Sequence, residues 1–446
     1  MKRKFRKILF FSLFFTFVFV APILVFYFQG YRVDFKNKRI TQTGGLFLKA
    51  QPKHAEVYIN DKLIKKTDFF FGSVLIENLL PKKYNVKLKK QGYFNWEKNL
   101  QIKEKEVTEA RDIVLFPKNP NFSLLAKGVK ALWFSPTGEK IILKEENENH
   151  WELKLYDVNK NLKSHILKEI DIAKEGADLF DLEFANGEKE IYLKVVIAEQ
   201  LKEFILDINN IPPLLKEIEK TSTESELKTS TLKESKPKNI IASAENEGNV
   251  YYLENTGNLY KTDSSFSFEE KLTESTFPLK QETEYKLYIF SDFIFLKENQ
   301  TLFLFNKKTK TFEKFFEGIK DIKLSPDFKK LAYFSEYEIK ILFLEKRATQ
   351  PKREKGESIF LIRLSDKIKN VFWITPDYLI FDTENRIKIT EIDNRDRLNI
   401  IDLTEFSSLC SDCKQEMQKE IFFNSNNKKL YVLAGENLWA SKKLLP

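Results

Sequence analysis

The sequence predicts an all-β protein held behind one membrane-spanning helix, and three observations carry that prediction. An uncharged, mostly apolar run of 21 residues stands near the N-terminus. Behind it, stretches such as Val86–Lys103 alternate lysine with apolar side chains at the two-residue period of a strand. Farther on, a strand–turn–strand unit recurs, with turns at Ser325, Thr375 and Asn424 spaced by about 50 residues, and no helical periodicity separates the copies.

A chain of 446 residues has room for two or three domains with real cores. The net charge of +9 is unevenly placed: Lys2, Arg3, Lys4, Arg6 and Lys7 open the chain, and residues 31–117 hold 18 basic against 10 acidic side chains. These lysines alternate out of strands, without clustered arginines or stacking aromatics. The pattern is that of a solvated polar face and excludes a nucleic-acid partner.

The first element is the run Ile8–Phe28, "ILFFSLFFTFVFVAPILVFYF". As a helix it covers about 30 Å, the thickness of a hydrocarbon core. Pro22 is tolerated inside such a span. Five basic residues before it, against Arg32 alone just after, place residues 1–7 in the cytoplasm as a basic tail. A cleaved signal peptide would end after Ala21, but Phe19 occupies a small-residue position and Pro22 follows directly. The expectation is therefore an uncleaved single-pass anchor in the cytoplasmic membrane, with everything beyond it extracytoplasmic. A tail of seven residues holds no output domain, which disfavours a signalling receptor.

Residues 29–117 read as short alternating strands. Val57 and Ile59 share a face in "AEVYIN"; Tyr84, Val86 and Leu88 do so in "KYNVKLK"; Trp96, Leu100 and Ile102 in "WEKNLQIK". Six or seven such strands in about 75 residues predict a small antiparallel β-sandwich. Gly92 fits a hinge between two strands that needs either a positive φ or a close approach, and Tyr93 and Trp96 fit plugs for the end of the core. The order of Thr43-Gly44-Gly45-Leu46, Pro52, Ala55 with "VYIN", Asp61-Lys62, Pro81 before Tyr84, and Gly92-Tyr93 before Trp96 resembles the PEGA domain. The name-giving Pro-Glu-Gly-Ala stands here as Pro52-Lys53-His54-Ala55. The resemblance implies an immunoglobulin-like sandwich of a surface protein, with Tyr84, Gly92, Tyr93 and Trp96 in its core and no catalytic residues.

Residues 118–446 carry the recurring unit, clearest in "LWFSPTGEKIIL" and "IKLSPDFKKLAYF". Seven candidate units at this period predict a β-propeller of about seven blades, because radial repetition buries both faces of many short sheets. A row of sandwiches is the rival all-β reading. The Ser-Pro turns resemble the Ser-Pro-Asp-Gly turn of propeller repeats in periplasmic and surface proteins. Residues 217–239, built from Lys, Glu, Ser and Thr without an aromatic, read as a disordered insertion between blades, and 349–358 as a smaller solvated linker.

Sites of chemistry are sparse. Cys410 and Cys413 are the only cysteines, and His54, His150 and His165 lie far from them, so a zinc site is not expected. Outside the cytoplasm a local disulfide is the reading, two free thiols the alternative. The "DNRD" run, Asp393–Asp396, reads as a solvated hairpin turn rather than a calcium loop. Neither a nucleophile elbow, a zincin helix nor a phosphate loop is present, so no catalytic, metal or cofactor residue is assigned. The expectation is a non-enzymatic envelope protein that binds a protein or glycan on the propeller. Lys82, Lys83, Lys87, Lys89 and Lys90 are candidates for an anionic surface. The alternative is an extracytoplasmic glycan hydrolase with carboxylates in the propeller channel, since such pairs leave no linear motif.

Overall fold

The computed structural model describes residues 3–35, 37–147, 150–174, 176–185, 187–218, 239–410 and 419–445. Helix α1 (Arg3–Phe28) is, among these, the one helix long and apolar enough to cross a membrane, and its apolar window is entirely unburied. It starts before Ile8, so the basic stretch Arg3–Lys7 is helical and continuous with the apolar run. Lys and Arg are good helix formers and nothing there stops the helix. Lys2 lies outside the described residues. At the other end Gly30, at φ +84°, closes the helix, its N–H reaching the Tyr27 carbonyl at 3.1 Å.

Nine strands follow: β1 (Tyr31–Asp34), β2 (Arg39–Gln42), β3 (Gly44–Gln51), β4 (Glu56–Ile59), β5 (Lys62–Lys66), β6 (Ser73–Leu79), β7 (Lys83–Lys89), β8 (Trp96–Gln101) and β9 (Val107–Val114). The first two pair only with each other, as a ribbon. The rest form two packed sheets, β6-β3-β9 and β5-β4-β7-β8. Alternation decides which side chains enter the core: Val57, Ile59, Tyr84, Val86, Leu88, Trp96, Leu100 and Ile102 are all buried between the sheets, against Leu46, Leu48 and Ile113. Tyr93 packs on the edge of this cluster. Gly92 sits at φ +82° with open space where a Cβ would be, so backbone conformation alone asks for glycine there.

The sandwich is not wholly antiparallel as expected. β3 and β9 run parallel, Leu46 opposite Thr108. The chain leaves β8 in one sheet and enters β9 in the other, so 102–106 is a crossing between layers rather than a hairpin turn.

Strand β10 (Ser123–Ala126) opens the large domain, and behind it the described chain folds into consecutive four-stranded antiparallel sheets, each made of neighbouring strands in order. They span 129–168, 178–217, 240–271, 285–317, 321–363 and 371–405 (blades 1 to 6). Blade 7 has three strands from 419–440 and takes its fourth from β10, Ser123 pairing with Ala440. That last pairing ties the beginning of the domain to its end and closes a ring of seven blades. It excludes the row of sandwiches, which would pair sheets in twos. Residues 219–238, most of the insertion read from composition, lie outside the described residues; Leu214–Glu217 just before them is the outer strand of blade 2.

Six of the seven seams between blades bury apolar side chains from both sides. Leu143 meets Tyr431 and Leu433 between blades 1 and 7, and Leu153 meets Ile191 and Leu193 between blades 1 and 2. Leu253 with Leu287, Phe295 with Leu331, Ile341 with Phe381, and Ile389 with Val432 serve the seams from blade 3 to blade 7. Among the described residues no such cluster bridges blades 2 and 3. There Ile241, Ser243 and Glu245 of the inner strand Ile240–Asn246 are exposed. Local opening follows missing apolar contact. Amide exchange should therefore be faster in Ile240–Asn246 than in Val371–Thr375, the equivalent strand of blade 6; equal protection would show that this seam is as tightly closed as the others.

Candidate partner-binding surface

The sandwich is welded to the propeller through two of its four sheet edges, β8 and β9. β8 presents Trp96, Lys98 and Leu100 on one face, and Lys98 is 0% exposed. Its ammonium donates to the carbonyls of Asp393, Arg395 and Arg397 at 2.7, 3.1 and 2.5 Å and pairs with Glu391 at 2.7 Å. Glu391 also accepts from the Trp96 indole at 2.9 Å and from the amide and side chain of Asn399. Along the same edge the N–H groups of Glu97 and Asn99 donate to Asn399 Oδ1 and Asp396 Oδ2, both at 3.0 Å. The edge of β9 is closed from blade 5: the Gln350 side chain accepts from Glu109 N–H at 3.0 Å and donates to the Val107 carbonyl at 3.1 Å. Val114 N–H donates to the Tyr378 hydroxyl, and Phe116 packs beside Tyr378 at 5.3 Å.

Two turns read as solvated are therefore docking elements. Asp393–Asp396 wraps the Lys98 ammonium, and 349–358 is pinned by an Arg347–Arg353 bridge with Gln350 seated on β9. Arg347 spans the junction, holding Asp377 at 2.6 Å and Asp112 at 3.1 Å. Burial pushes the Glu391 carboxyl up against the pull of Lys98. Asp393 sits below the usual range because Arg395 outweighs its burial. The carboxylates here surround a cavity of about 20 Å³, room for about one water and for no sugar. Removing one member of a buried ion pair strands the other. Glu391→Ala should lower stability by about 3–5 kcal/mol, and the apolar pair Lys98→Met with Glu391→Leu should recover most of it. A denaturation loss below about 1 kcal/mol for the single variant would show a solvated pair instead.

The inner strands of neighbouring blades touch one another and carry half-exposed aromatics. Phe134 of blade 1 stacks on Phe422 of blade 7 at 3.6 Å, and Phe422 meets Phe372 of blade 6 edge-on at 5.7 Å. Lys323 of blade 5 lies over Phe372 and pairs with Asp321 at 2.7 Å. Among the described residues no group of three His, Cys, Asp or Glu side chains is placed to hold a metal.

A second buried carboxyl of the propeller is Asp382 in blade 6. It is 0% exposed, its Oδ1 accepts from Asn370 N–H at 2.8 Å, and its Oδ2 has no partner. Burial pushes it up to about 7. The same group in an unfolded chain titrates near about 3.9, so the folded state holds the proton more tightly. Its contribution to stability is complete below that value and is lost as pH rises through about 7. Asp382→Asn, neutral throughout, should gain in unfolding midpoint over wild type between about pH 5 and about pH 8. Midpoints that stay parallel over this range would show that the carboxyl is already ionised in the fold.

A different feature faces outward. Phe69, Phe70 and Phe71, between β5 and β6, are 72%, 74% and 75% exposed. The loop is nonetheless built. The Asp68 carboxylate accepts from the N–H groups of Phe70, Phe71 and Ser73 and from the Ser73 hydroxyl. These bonds, that of Phe71 foremost, hold its pKa down to about 2. Next to it β5, "KLIKK", is exposed at all five positions. Three consecutive aromatics held open to solvent by a satisfied carboxylate are a presented surface, not a failed core.

The other residues singled out from sequence do not meet in one place. Lys87 is bound between Asp61 at 3.0 Å and Glu97 at 3.4 Å, and Lys83 pairs with Asp396 at 3.5 Å. Lys82 and Lys89 lie over the rings of Tyr84 and Tyr58, and Lys90 donates to the Lys53 carbonyl. Cys410 is disulfide-bonded, and Cys413 lies outside the described residues. Sequence reasoning missed Lys98 and the Phe69–Phe71 loop. The signal for Lys98 was its parity, an inward position between Trp96 and Leu100. For the loop it was three aromatics at a turn.

Residues 43–117 match the PEGA domain family. No curated protein matches the chain in sequence. Similar solved structures include a chain of the mitotic checkpoint complex, at 10% identity and TM-score 0.39, covering 72% of this chain and 93% of that one. They also include YCF48 from Cyanidioschyzon merolae, at 9% and 0.38 over 72% and 98%, and YCF48 bound to D1 peptide, at 12% and 0.35 over 72% and 94%. Residues 43–117 thus form a domain that matches the PEGA family, with an apolar helix before it and a seven-bladed β-propeller, shown by its sheet order, after it.

Proposed function

We propose that this chain is a non-catalytic, membrane-anchored binding protein of the cell envelope, with α1 as its anchor and the sandwich and propeller outside the cytoplasm. The observation that carries the reading is the Phe69–Phe71 loop: a rigid aromatic surface on a domain already fused to a second one. Phe69 and Phe70 meet edge-on at 5.7 Å, a contact that fixes their relative angle while both remain mostly exposed. Large aromatics of this kind anchor protein interfaces when they enter a partner's pocket. The exposed lysines of β5 add long-range attraction toward an acidic partner. The partner is read as a protein, with the half-exposed aromatics of the inner propeller strands as a further contact surface.

The hydrolase reading finds less support. The clustered carboxylates line a water-sized junction cavity, and Asp382, outside that cluster, is wholly buried. Purified full-length chain carrying Phe69→Ser, Phe70→Ser and Phe71→Ser should lose at least tenfold in retention of the proteins that co-purify with wild type, an effect of about 1.4 kcal/mol or more. Retention equal to wild type would reject the loop as the docking surface. Turnover of envelope polysaccharide by the same preparation would reject the non-catalytic reading.

A further inference from the structure

We propose that the β1–β2 ribbon is a second membrane contact: its open face lies in the headgroup–acyl boundary of the bilayer that α1 crosses. The proposal rests on the anchor reading of α1. A ribbon of two short strands has little stability of its own and needs something against each face. One face is accounted for. Asp34 and Thr41 are 6% and 3% exposed, the Thr41 hydroxyl donates to Glu104, and the Arg32 guanidinium donates to Asn78 at 3.0 Å, all against the sandwich.

The opposite face holds Tyr31, Val33 and Ile40, with exposed Phe35 just beyond β1 and Gln42 at the helix end, where its side chain donates to the Gln29 carbonyl. Val33 and Ile40 are direct cross-strand partners and are 50% and 71% exposed, while Phe35 is 86% exposed. No described part of the sandwich or propeller covers them. The face continues the surface of α1: Tyr31 packs edge-on against Phe26 at 5.3 Å, and Phe28 beyond it is 82% exposed.

The ribbon is also fixed in place relative to the helix. Arg32 lies over the Tyr27 ring at 3.6 Å and donates to the Tyr27 carbonyl at 2.7 Å, while Thr43 N–H donates to the Gly30 carbonyl at 2.9 Å. A helix that stands in a bilayer therefore brings this apolar face down beside its own exit point. Exposed Lys38 and Arg39 near the tip suit anionic headgroups, and aromatic with basic residues is the composition of an interfacial segment. The Phe69–Phe71 loop is not part of this contact. It lies beside the far end of β3, where Lys49 pairs with Ser73, about 23 Å from the ribbon by strand rise.

Tryptophan quenching by brominated lipid tests the geometry. The five native tryptophans lie in the sandwich and propeller, so full-length wild type in phosphatidylcholine–phosphatidylglycerol vesicles supplies a lipid-insensitive background. Phe35→Trp should add a blue-shifted component that brominated lipid quenches, as Val20→Trp within the helix does, while Phe69→Trp should add none. Quenching at position 20 without quenching at 35 overturns the ribbon contact and leaves the anchor standing. Quenching at neither position overturns both. A blue-shifted emission at 35 that lipid does not quench overturns the proposal too, and shows the face covered by protein, either a partner or a second copy.

Discussion

A single buried ammonium, that of Lys98, holds the two folded parts of this molecule in one frame. A charge taken out of water must have its donors met, and on β8 nothing within the sandwich can meet them. Three carbonyls come instead from the loop of blade 6, which has to fold around the lysine to deliver them, and one carboxylate from Glu391 at the end of the strand before it. The edges of β8 and β9 close on the same surface, so the two strand edges that would otherwise stand open are paired with side chains of the propeller. The price of burying Lys98 and Glu391 is met by geometry rather than by apolar area, and that geometry admits one relative orientation of the domains.

Everything functional inherits that frame. The helix end is tied to the sandwich through Arg32 and Thr43, and the sandwich to blades 5 and 6, so α1, the PEGA domain and the ring form a connected chain of fixed contacts. The aromatic loop at Phe69–Phe71 lies at the end of β3 opposite the helix, and the ribbon lies at the helix end. The helix with its ribbon and the aromatic loop thus stand at opposite ends of the sandwich. Ring closure by β10 adds to the frame. The segment that leaves the sandwich at Pro117 pairs within a few residues with the last blade, so the domain is gripped at its point of attachment.

The contrast between the seams is physical. Where inner and middle strands bring leucine and isoleucine from both blades, the ring is sealed by area. Where blade 3 turns Ile241, Ser243 and Glu245 outward, it is not, and the compositionally polar stretch enters the chain at that same place. The propeller therefore has a strong arc from blade 3 through blade 7 to blade 2, on which the sandwich sits, and one weak joint away from it.

Much of this was legible in residues taken one stretch at a time. Hydropathy over 8–28 announced the helix, two-residue alternation named the buried face of β4, β7 and β8, the 50-residue recurrence anticipated the ring, and Gly92 marked a positive φ. Each of these is decided by neighbours within one element, where the period of the backbone dictates which side chains share a face. The fate of Lys98, of "DNRD" and of 349–358 was not legible. Each is decided by a partner in the other domain, some 295 positions away for Lys98 and Asp393, and local pattern assigns such polar turns to water. What the chain determined by itself was periodicity and burial; what only the tertiary structure decided was which polar groups were to be buried, because a charge is stabilised by the acceptors that converge on it and not by its place in a strand.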